Sequence, residues 1–320
     1  MRILIGCCGG LTGTYLSRHI HDLSWIEEKS VLGFDVSDKN PTKYFLDELF
    51  VLPPVDSDGF VESLIYLLNS ERIDIYIPTH SAEGFVVSRE SDRIRKLTRT
   101  NFMISPLQTY EALDNKENLY NNLDELGIDT PKRFQEDIAD FFLPLFIKPI
   151  RGSGSKNTRI ISNREELRWI EKLKEDYLVT EYLQGKEYTV DTYFSLEGRL
   201  LGLNQRIRVK NLGGAAIITE NNYDIEVTSL IETISRRYTI IGPANFQFFL
   251  TDNSRIVFTD VNLRFASGGL PLTIKSGLDI PEIMLKELSG MKIESNECVI
   301  DKKHRIMFRY FSEIFEEPQC

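Results

Sequence analysis

The sequence predicts an α/β unit built on a parallel sheet, followed by an α+β half. Three observations carry that prediction. Over the first hundred or so residues, short apolar runs alternate with helical patterns, the order expected of a parallel sheet covered by helices. The first apolar run meets its helix through a glycine turn, GCCGGLTG. From Leu143 onward, strand-like runs broken by turns take over, with only a few helices between them.

Taken in order, RILIG (2–6) reads as a buried strand, GGLTGTYLSRHIHDL as a glycine turn entering a helix, and SVLGFDVSD as a second strand. A helix over GFVESLIYLLNSE, a strand at DIYIPT, a helix from Ala82 toward Leu97 and a strand at NFMIS continue the alternation. The unit closes near Ser105 and Pro106. Helical segments follow in SPLQTYEALDNKENLYNNLDELGIDTP, where Leu119, Leu123 and Leu126 make an apolar stripe and Gly127 with Pro131 ends it. Strands are then expected at LFIKPI, TRIIS, YLVTEYL, EYTVDTYFS and RLLGLNQRIRV. A helix at NREELRWIEKLKE opens on an Asn163 cap with Glu166 completing a capping box. A helix over TSLIETISRRY and two β-rich runs, PANFQFFLT and RIVFTDVNLRF, complete the pattern. The expected division is 1–108, an N-terminal α/β domain; 109–184, a linker helix and a lid; and 185–320, a C-terminal subdomain.

With 320 residues, 42% of them hydrophobic, the chain can bury real cores. A formal net charge of -10 argues against broad attraction to nucleic acid or an anionic membrane, so a polyanionic ligand must meet locally placed cations. The four cysteines, Cys7, Cys8, Cys298 and Cys320, form no C-x-x-C pair and suit a reducing compartment. Cys7 and Cys8 read as buried small residues. No stretch resembles a signal peptide or a membrane span, and a cytoplasmic location is expected. The four histidines are scattered, with His19 and His21 reading as a helix surface.

Gly6, Gly9, Gly10 and Gly13 sit where a nucleotide-binding β-α turn would place them, but Cys8 and Leu11 occupy the offsets that G-x-G-x-x-G requires. A tight turn without a dinucleotide is the favoured reading; Asp35, ending the second strand, keeps the other open. A second signal is FIKPIRGSGSK (146–156), which is not a Walker cradle, yet glycines alternating with serines after a strand can fold over phosphates and donate backbone N–H bonds. Lys148, fixed by that strand, can neutralise phosphate oxygens, and Pro149 stiffens its exit.

Downstream, VTEYLQGKEYTVD places Glu181 at a strand end and Glu187 six residues later across Gly185, where an edge backbone and a carboxylate can read adenine and ribose. In NFQFFLTDNSRIVFTDVNLRF, Gln247, Asp260, Asn262 and Arg264 fall on two strands expected to pair through the TDNS turn. Period two puts Asp260, Asn262 and Arg264 on one face. A carboxylate, an amide oxygen and a guanidinium there suit magnesium carrying phosphates.

This ordered set resembles the ATP-grasp superfamily, and within it the stand-alone proteins that look like pieces of the carbamoyl phosphate synthase large subunit. The resemblance implies a Rossmann-like pre-ATP-grasp domain followed by a two-lobed ATP-grasp fold. By that similarity Lys116 and Lys148 would be ATP-phosphate cations, and Gly152, Ser153, Gly154 and Ser155 the flap over the triphosphate. Glu181 with the backbone at Tyr182 and Leu183 would meet adenine, and Glu187 the ribose. Asp260 and Asn262 would bind Mg²⁺, one or two ions with Mn²⁺ able to replace it, joined through water by Gln247, while Arg264 would face the reacting phosphoryl group. Arg206 and Arg208 match an R-x-R seen in these relatives before a small flexible loop, here Gly213 and Gly214, and would bind a substrate carboxylate or phosphoryl oxygen. Glu83, after IPTH, matches a family acidic position. Two positions depart from the pattern: the metal pair, commonly Glu-x-Asn, has the shorter Asp260, and Leu263 stands where proline is usual.

The chemistry implied is carboxylate–amine ligation: a carboxylate attacks the γ-phosphate, and an amine displaces phosphate from the acyl phosphate. Small-molecule carboxylate and amine substrates are expected, with no nucleic acid or membrane partner; a homodimer is common among such relatives. Three alternatives stay open: a bicarbonate- or carbamate-phosphorylating enzyme, an ATP-binding module without turnover, and a nucleotide-sugar or NAD enzyme using the first glycine turn.

Overall fold

Buried apolar runs open the chain as expected of parallel strands covered on both faces: Ile3, Leu4 and Ile5 are fully buried. The computed structural model describes residues 1–134, 143–150, 157–166 and 176–317. The first elements are β1 (Arg2–Ile5), α1 (Leu11–Asp22), β2 (Ser30–Asp35), β3 (Glu48–Val51), α2 (Phe60–Ser70), β4 (Ile75–Ile77), α3 (Ser81–Arg89) and α4 (Ser91–Leu97). The strands form a parallel sheet in the order β3-β2-β1-β4. Two expectations change here. The single helix toward Leu97 is two, broken at Glu90 (φ −99°, ψ 10°), which lets Val87 and Ile94 both reach the core. The expected strand at NFMIS is one bridge, Asn101 to Ile75. Phe102, Met103 and Ile104 are all buried and need both faces of the segment, so it leaves the sheet and wedges against the next one. There Ser105 Oγ accepts from the Ile241 amide at 3.0 Å.

Two helices follow, α5 (Leu107–Leu113) and α6 (Lys116–Glu125), with the Asn115 carboxamide capping the second. Three strands, β5 (Leu145–Pro149), β6 (Arg159–Ile161) and β7 (Tyr177–Glu181), make an antiparallel sheet in the order β6-β5-β7. Asn163 Oδ1 accepts from the Glu166 amide at 3.1 Å, as the capping box requires, while the Glu166 carboxylate accepts from Ser162 instead of the cap residue. The rest of the expected helix, residues 167–175, falls outside the described residues, as do Gly152, Ser153, Gly154 and Ser155.

The third layer is a six-stranded sheet of β8 (Gly185–Phe194), β9 (Leu200–Leu212), β10 (Ala215–Asn221), β11 (Gly242–Thr251), β12 (Ile256–Asn262) and β13 (Ile306–Phe308), ordered β12-β11-β8-β9-β10-β13. Helices α7 (Thr228–Arg237), α8 (Leu270–Lys275) and α9 (Ile280–Leu288) pack with it. Gly213 and Gly214 join β9 to β10 as a two-residue hairpin, both at positive φ (56° and 77°), the conformation a tight hairpin turn needs. The N-terminal unit and this sheet share their cores: Leu4, Phe34 and Tyr76 belong to one apolar cluster with Phe246, Phe258 and Leu263. Among the described residues no helix is long and apolar enough to cross a membrane.

Helix α1 lies so close to the glycine turn that a Cβ on Gly13 would sit 2.1 Å from the Cys8 carbonyl oxygen. Gly13→Ala therefore forces the helix off β1 and is expected to cost about 1–3 kcal/mol, read as a lowered midpoint in urea unfolding with unchanged slope.

Candidate active site

One cavity of about 440 Å³ lies where the three sheets and the first glycine turn meet. It gathers every described residue expected at the site: Lys116, Lys148, Glu181, Tyr182, Leu183, Glu187, Arg206, Arg208, Gln247, Asp260, Asn262 and Arg264 all line it. These come from α6, the six strands β5, β7, β8, β9, β11 and β12 and the segments after β7 and β12, and are brought together from positions nearly 150 residues apart in the chain.

The wall that fixes Lys148 is the most tightly determined. Its ammonium, carried by β5, donates to Tyr120 Oη and, at 3.2 Å, to the Thr259 carbonyl. That carbonyl is available because β12 bulges: Gln247 faces Asp260 and Phe248 faces Phe258, so Thr259 is an extra residue whose oxygen leaves the ladder. Tyr120 Oη also donates to it, at 3.2 Å. Lys116 and Tyr120 are one helical turn apart on α6, which places both beside Lys148. Burial is the main influence on the Lys148 ammonium and lowers its pKa to about 8; Asp260 and Glu187 pull it up, and Lys116 pushes it further down. Tyr120 and Thr259 were not singled out from sequence. Tyr120 reads as part of a helix's apolar stripe, and a backbone oxygen freed by a bulge leaves no mark in the residue types.

Asp260 and Gln247 are cross-strand neighbours. Among the described residues no group hydrogen-bonds to either side chain, so three oxygens face the cavity uncommitted. Asn262 donates to Asn245 Oδ1 at 3.2 Å, which turns its own Oδ1 the other way, 3.4 Å from Arg264 Nη2. Arg264 is steadied by the Ser81 hydroxyl (3.0 Å) and the Phe265 carbonyl (2.9 Å). Desolvation loosens its proton, against the pull of Asp260. A carboxylate with two carboxamide oxygens fits a hard divalent cation that draws its remaining ligands from water and phosphate.

At the other end, the Glu181 carboxylate accepts from the Lys132 amide (3.1 Å) and Arg255 (3.3 Å), the Glu181 and Tyr182 amides donate to the Lys132 and Pro144 carbonyls, and residues 181–183 line the cavity. Glu187 pairs with Arg208 (3.0 Å) and accepts from Asn211 (2.9 Å). Arg206 is held by Asp191 through two hydrogen bonds of 2.9 and 3.0 Å, both partners almost fully buried. Asp191, a further residue that sequence reasoning missed, reads as an ordinary strand residue.

The glycine turn is tied from within. Asp35 accepts from the Gly9 amide at 2.7 Å, so it fastens the turn. Burial pushes the Cys8 thiol up to about 12 and the Cys7 thiol further, which keeps both protonated. Beneath the turn, fully buried Glu83 accepts from Tyr76 Oη (2.6 Å) and from the Thr79 and His80 amides (2.9 and 3.1 Å).

The fold joins a parallel α/β unit to an α+β half around one cavity. Residues 174–313 match the family described as ATP-grasp in the biosynthetic pathway with Ter operon. The carbamoyl phosphate synthase arginine-specific large chain of Bacillus subtilis is 20% identical over 91% of this chain and 30% of its own length. This chain thus spans about a third of that relative. Among solved structures, the biotin carboxylase domain of Hydrogenobacter thermophilus 2-oxoglutarate carboxylase superposes with a TM-score of 0.74 at 14% identity, covering 95% of this chain and 73% of that one. The L-amino acid ligase of Bacillus licheniformis gives 0.69 at 15%, covering 93% and 77%. The fold is that of ATP-grasp proteins.

Desolvation raises the Glu83 pKa to about 7, against the hydrogen bonds it accepts. A carboxyl raised in the folded state contributes stability that is fully present below its unfolded value, near 4.5, and is lost as pH rises through about 7. Thermal midpoints from pH 5 to 8 are expected to fall across this window in the wild type and to fall less in Glu83→Gln.

Proposed function

We propose that the protein is an ATP- and Mg²⁺-dependent carboxylate–amine ligase that forms an amide through an acyl phosphate. The observation that carries this reading is the convergence on one cavity of Lys116, Lys148 and Arg264 with the oxygen donors Gln247, Asp260 and Asn262. The names of the solved neighbours, a biotin carboxylase with MgADP and an amino acid ligase, agree with it. So does the carbamoyl phosphate synthase relative, whose name keeps a bicarbonate- or carbamate-phosphorylating reaction as the second reading.

In this reading adenine lies along the strand-end backbone at 181–183, with Glu187 toward the ribose. Lys116 and Lys148 neutralise the phosphates. Asp260 and Asn262, with Gln247 through water, would hold Mg²⁺, which supplies charge neutralisation of the phosphate oxygens. Arg264, steadied on two sides, faces the phosphoryl group as it passes from ATP to the carboxylate, where positioned positive charge matters most. Arg206 and Arg208 lie on the substrate side. Transfer in a closed cavity also keeps water from the acyl phosphate. No side-chain nucleophile is needed, in keeping with two protonated thiols at the glycine turn.

The direct test is ADP release with Mg²⁺ and ATP across a panel of amino acids and small carboxylates, with hydroxylamine trapping the acyl phosphate. Carboxylate-dependent ADP with a matching hydroxamate is expected; ADP release that depends only on bicarbonate would move the assignment to the second reading, and nucleotide binding without turnover to a binding module. Asn262→Ala and Lys148→Met are each expected to lower ADP formation by about 100-fold or more with the fold retained by circular dichroism.

Lys148 gives a pH signature as well. Phosphates favour the charged ammonium, so MgADP affinity is expected to weaken as pH rises above about 8, where the free site loses that proton. Calorimetric titration from pH 7 to 9.5 reads this slope, and Lys148→Met should flatten it.

A further inference from the structure

Helix α1 begins bare. Its N-cap is Gly10 (φ −90°, ψ 179°), no side chain caps the turn, and the first turn holds no acidic residue. Among the described residues, no group accepts from the amides of Leu11, Thr12 or Gly13. These three and Gly10 line the cavity. Open N–H groups and the helix dipole make such an end a site for an anion.

A second observation, independent of the helix, points the same way. Arg206 is 2% exposed and lines the same cavity. Asp191 takes its Nε and Nη2, and Nη1 is buried without a hydrogen-bond partner. The guanidinium is pressed against the Gly268–Gly269 turn, where a Cβ on Gly269 would lie 2.0 Å from its carbon. Half-buried Arg309 adjoins it: its Nε donates to the Gly268 carbonyl at 2.9 Å, and it feels the charge of Arg206 as well as Tyr15 of α1. Asp191, the carboxylate that pairs with Arg206, also accepts from Thr273 Oγ1 at 2.5 Å. A buried donor left unmatched beside a second cation is costly, and an incoming oxyanion relieves both terms.

We propose that the α1 N-terminus and Arg206 form a subsite for an anionic group of the substrate, a carboxylate or a phosphate ester, separate from the nucleotide phosphates. Resting on the ligase reading, this makes the substrate a molecule with two ends: the reacting carboxylate or amine, and a remote anion seated on α1.

Gly10→Asp tests this without risking the fold. A Cβ there meets nothing within 4 Å, the backbone is extended, and aspartate is a preferred N-cap. Its carboxylate would occupy the same amides, so the variant is expected to melt higher while binding inorganic phosphate at least about tenfold more weakly. Leu11→Pro deletes one N–H at the first helical position, where proline fits, and should weaken phosphate several-fold at unchanged stability. Titration calorimetry with phosphate and with succinate, with and without saturating MgADP, reads both variants; whichever anion binds tighter to the wild type identifies the substrate group. Phosphate and succinate binding equally to the wild type and Gly10→Asp, binding of neither to the wild type, or displacement of the anion by MgADP would each overturn the subsite. Failure of MgADP itself to bind would instead sink the ligase reading, and the nucleotide-free titrations would still decide the subsite.

Discussion

The Lys148 ammonium ties three elements of the fold to one nitrogen. It rises from the three-stranded sheet, and its two described acceptors belong to the other pieces: the Tyr120 hydroxyl of α6 and the Thr259 carbonyl of the six-stranded sheet. Tyr120 bonds to the same carbonyl, so the triangle closes. Remove the bulge in β12 and Thr259 would return its oxygen to the ladder; Lys148 would then lose its direct hydrogen bond to the six-stranded sheet. The same burial that makes the contact structural lowers the lysine's pKa to about 8. A buried cation that is only partly matched favours any ligand that brings negative charge, and this ties the architecture to the chemistry proposed for it.

A comparable economy governs the N-terminal unit. Glu83 joins β4, the start of α3 and the glycine turn through one buried carboxylate, and a Cβ on Gly6 would lie 1.6 Å from its oxygen. The turn is therefore held from below by Glu83 and from the side by Asp35, and the amides of α1 are left to face outward into the cavity. The segment 101–105, too apolar to stay in the first sheet, carries this rigid unit onto the six-stranded one through Met103 and Tyr193. Position of the glycine turn relative to Lys148 and Arg206 thus follows from core packing.

Much of this was legible in the sequence where a feature is local. The β-α-β opening, the Asn163 cap, the TDNS hairpin and the common face of Asp260 and Asn262 rest on periodicity and turn chemistry, which neighbouring residues determine, whereas Arg264, expected on the same strand, lies just past its end. What could not be read depends on pairing at a distance. β3 and β13 are short edge strands, β10 is an interior strand whose burial alternates weakly, and NFMIS has the composition of a strand but is needed on both faces. The Gly213–Gly214 pair was expected as a flexible loop, yet opposed strands on either side make it a fixed hairpin. Asp191 and Tyr120 became functional neighbours only through register: Asp191 faces Asn204, two residues from Arg206, across the β8–β9 ladder.

The charge balance shows why a chain with a net charge of -10 can present a site for polyanions. Two of the three carboxylates lining the cavity are already committed, Glu187 to Arg208 and Glu181 to Arg255, and Asp191 behind the wall is committed to Arg206. Asp260 alone is without a hydrogen-bonded cation among the described residues, and it acts on both Lys148 and Arg264. One carboxylate shared by two buried cations leaves the cavity positive on balance while the surface stays acidic. Bringing Mg²⁺ alone would worsen that balance; bringing it with a triphosphate reverses it, because the nucleotide carries more negative charge than the metal neutralises. The shorter Asp260 fits this logic. A single carboxylate flanked by the carboxamides of Gln247 and Asn262 would, in the proposed reading, hold a metal weakly on its own, so the metal's place in the site would depend on the phosphates arriving with it.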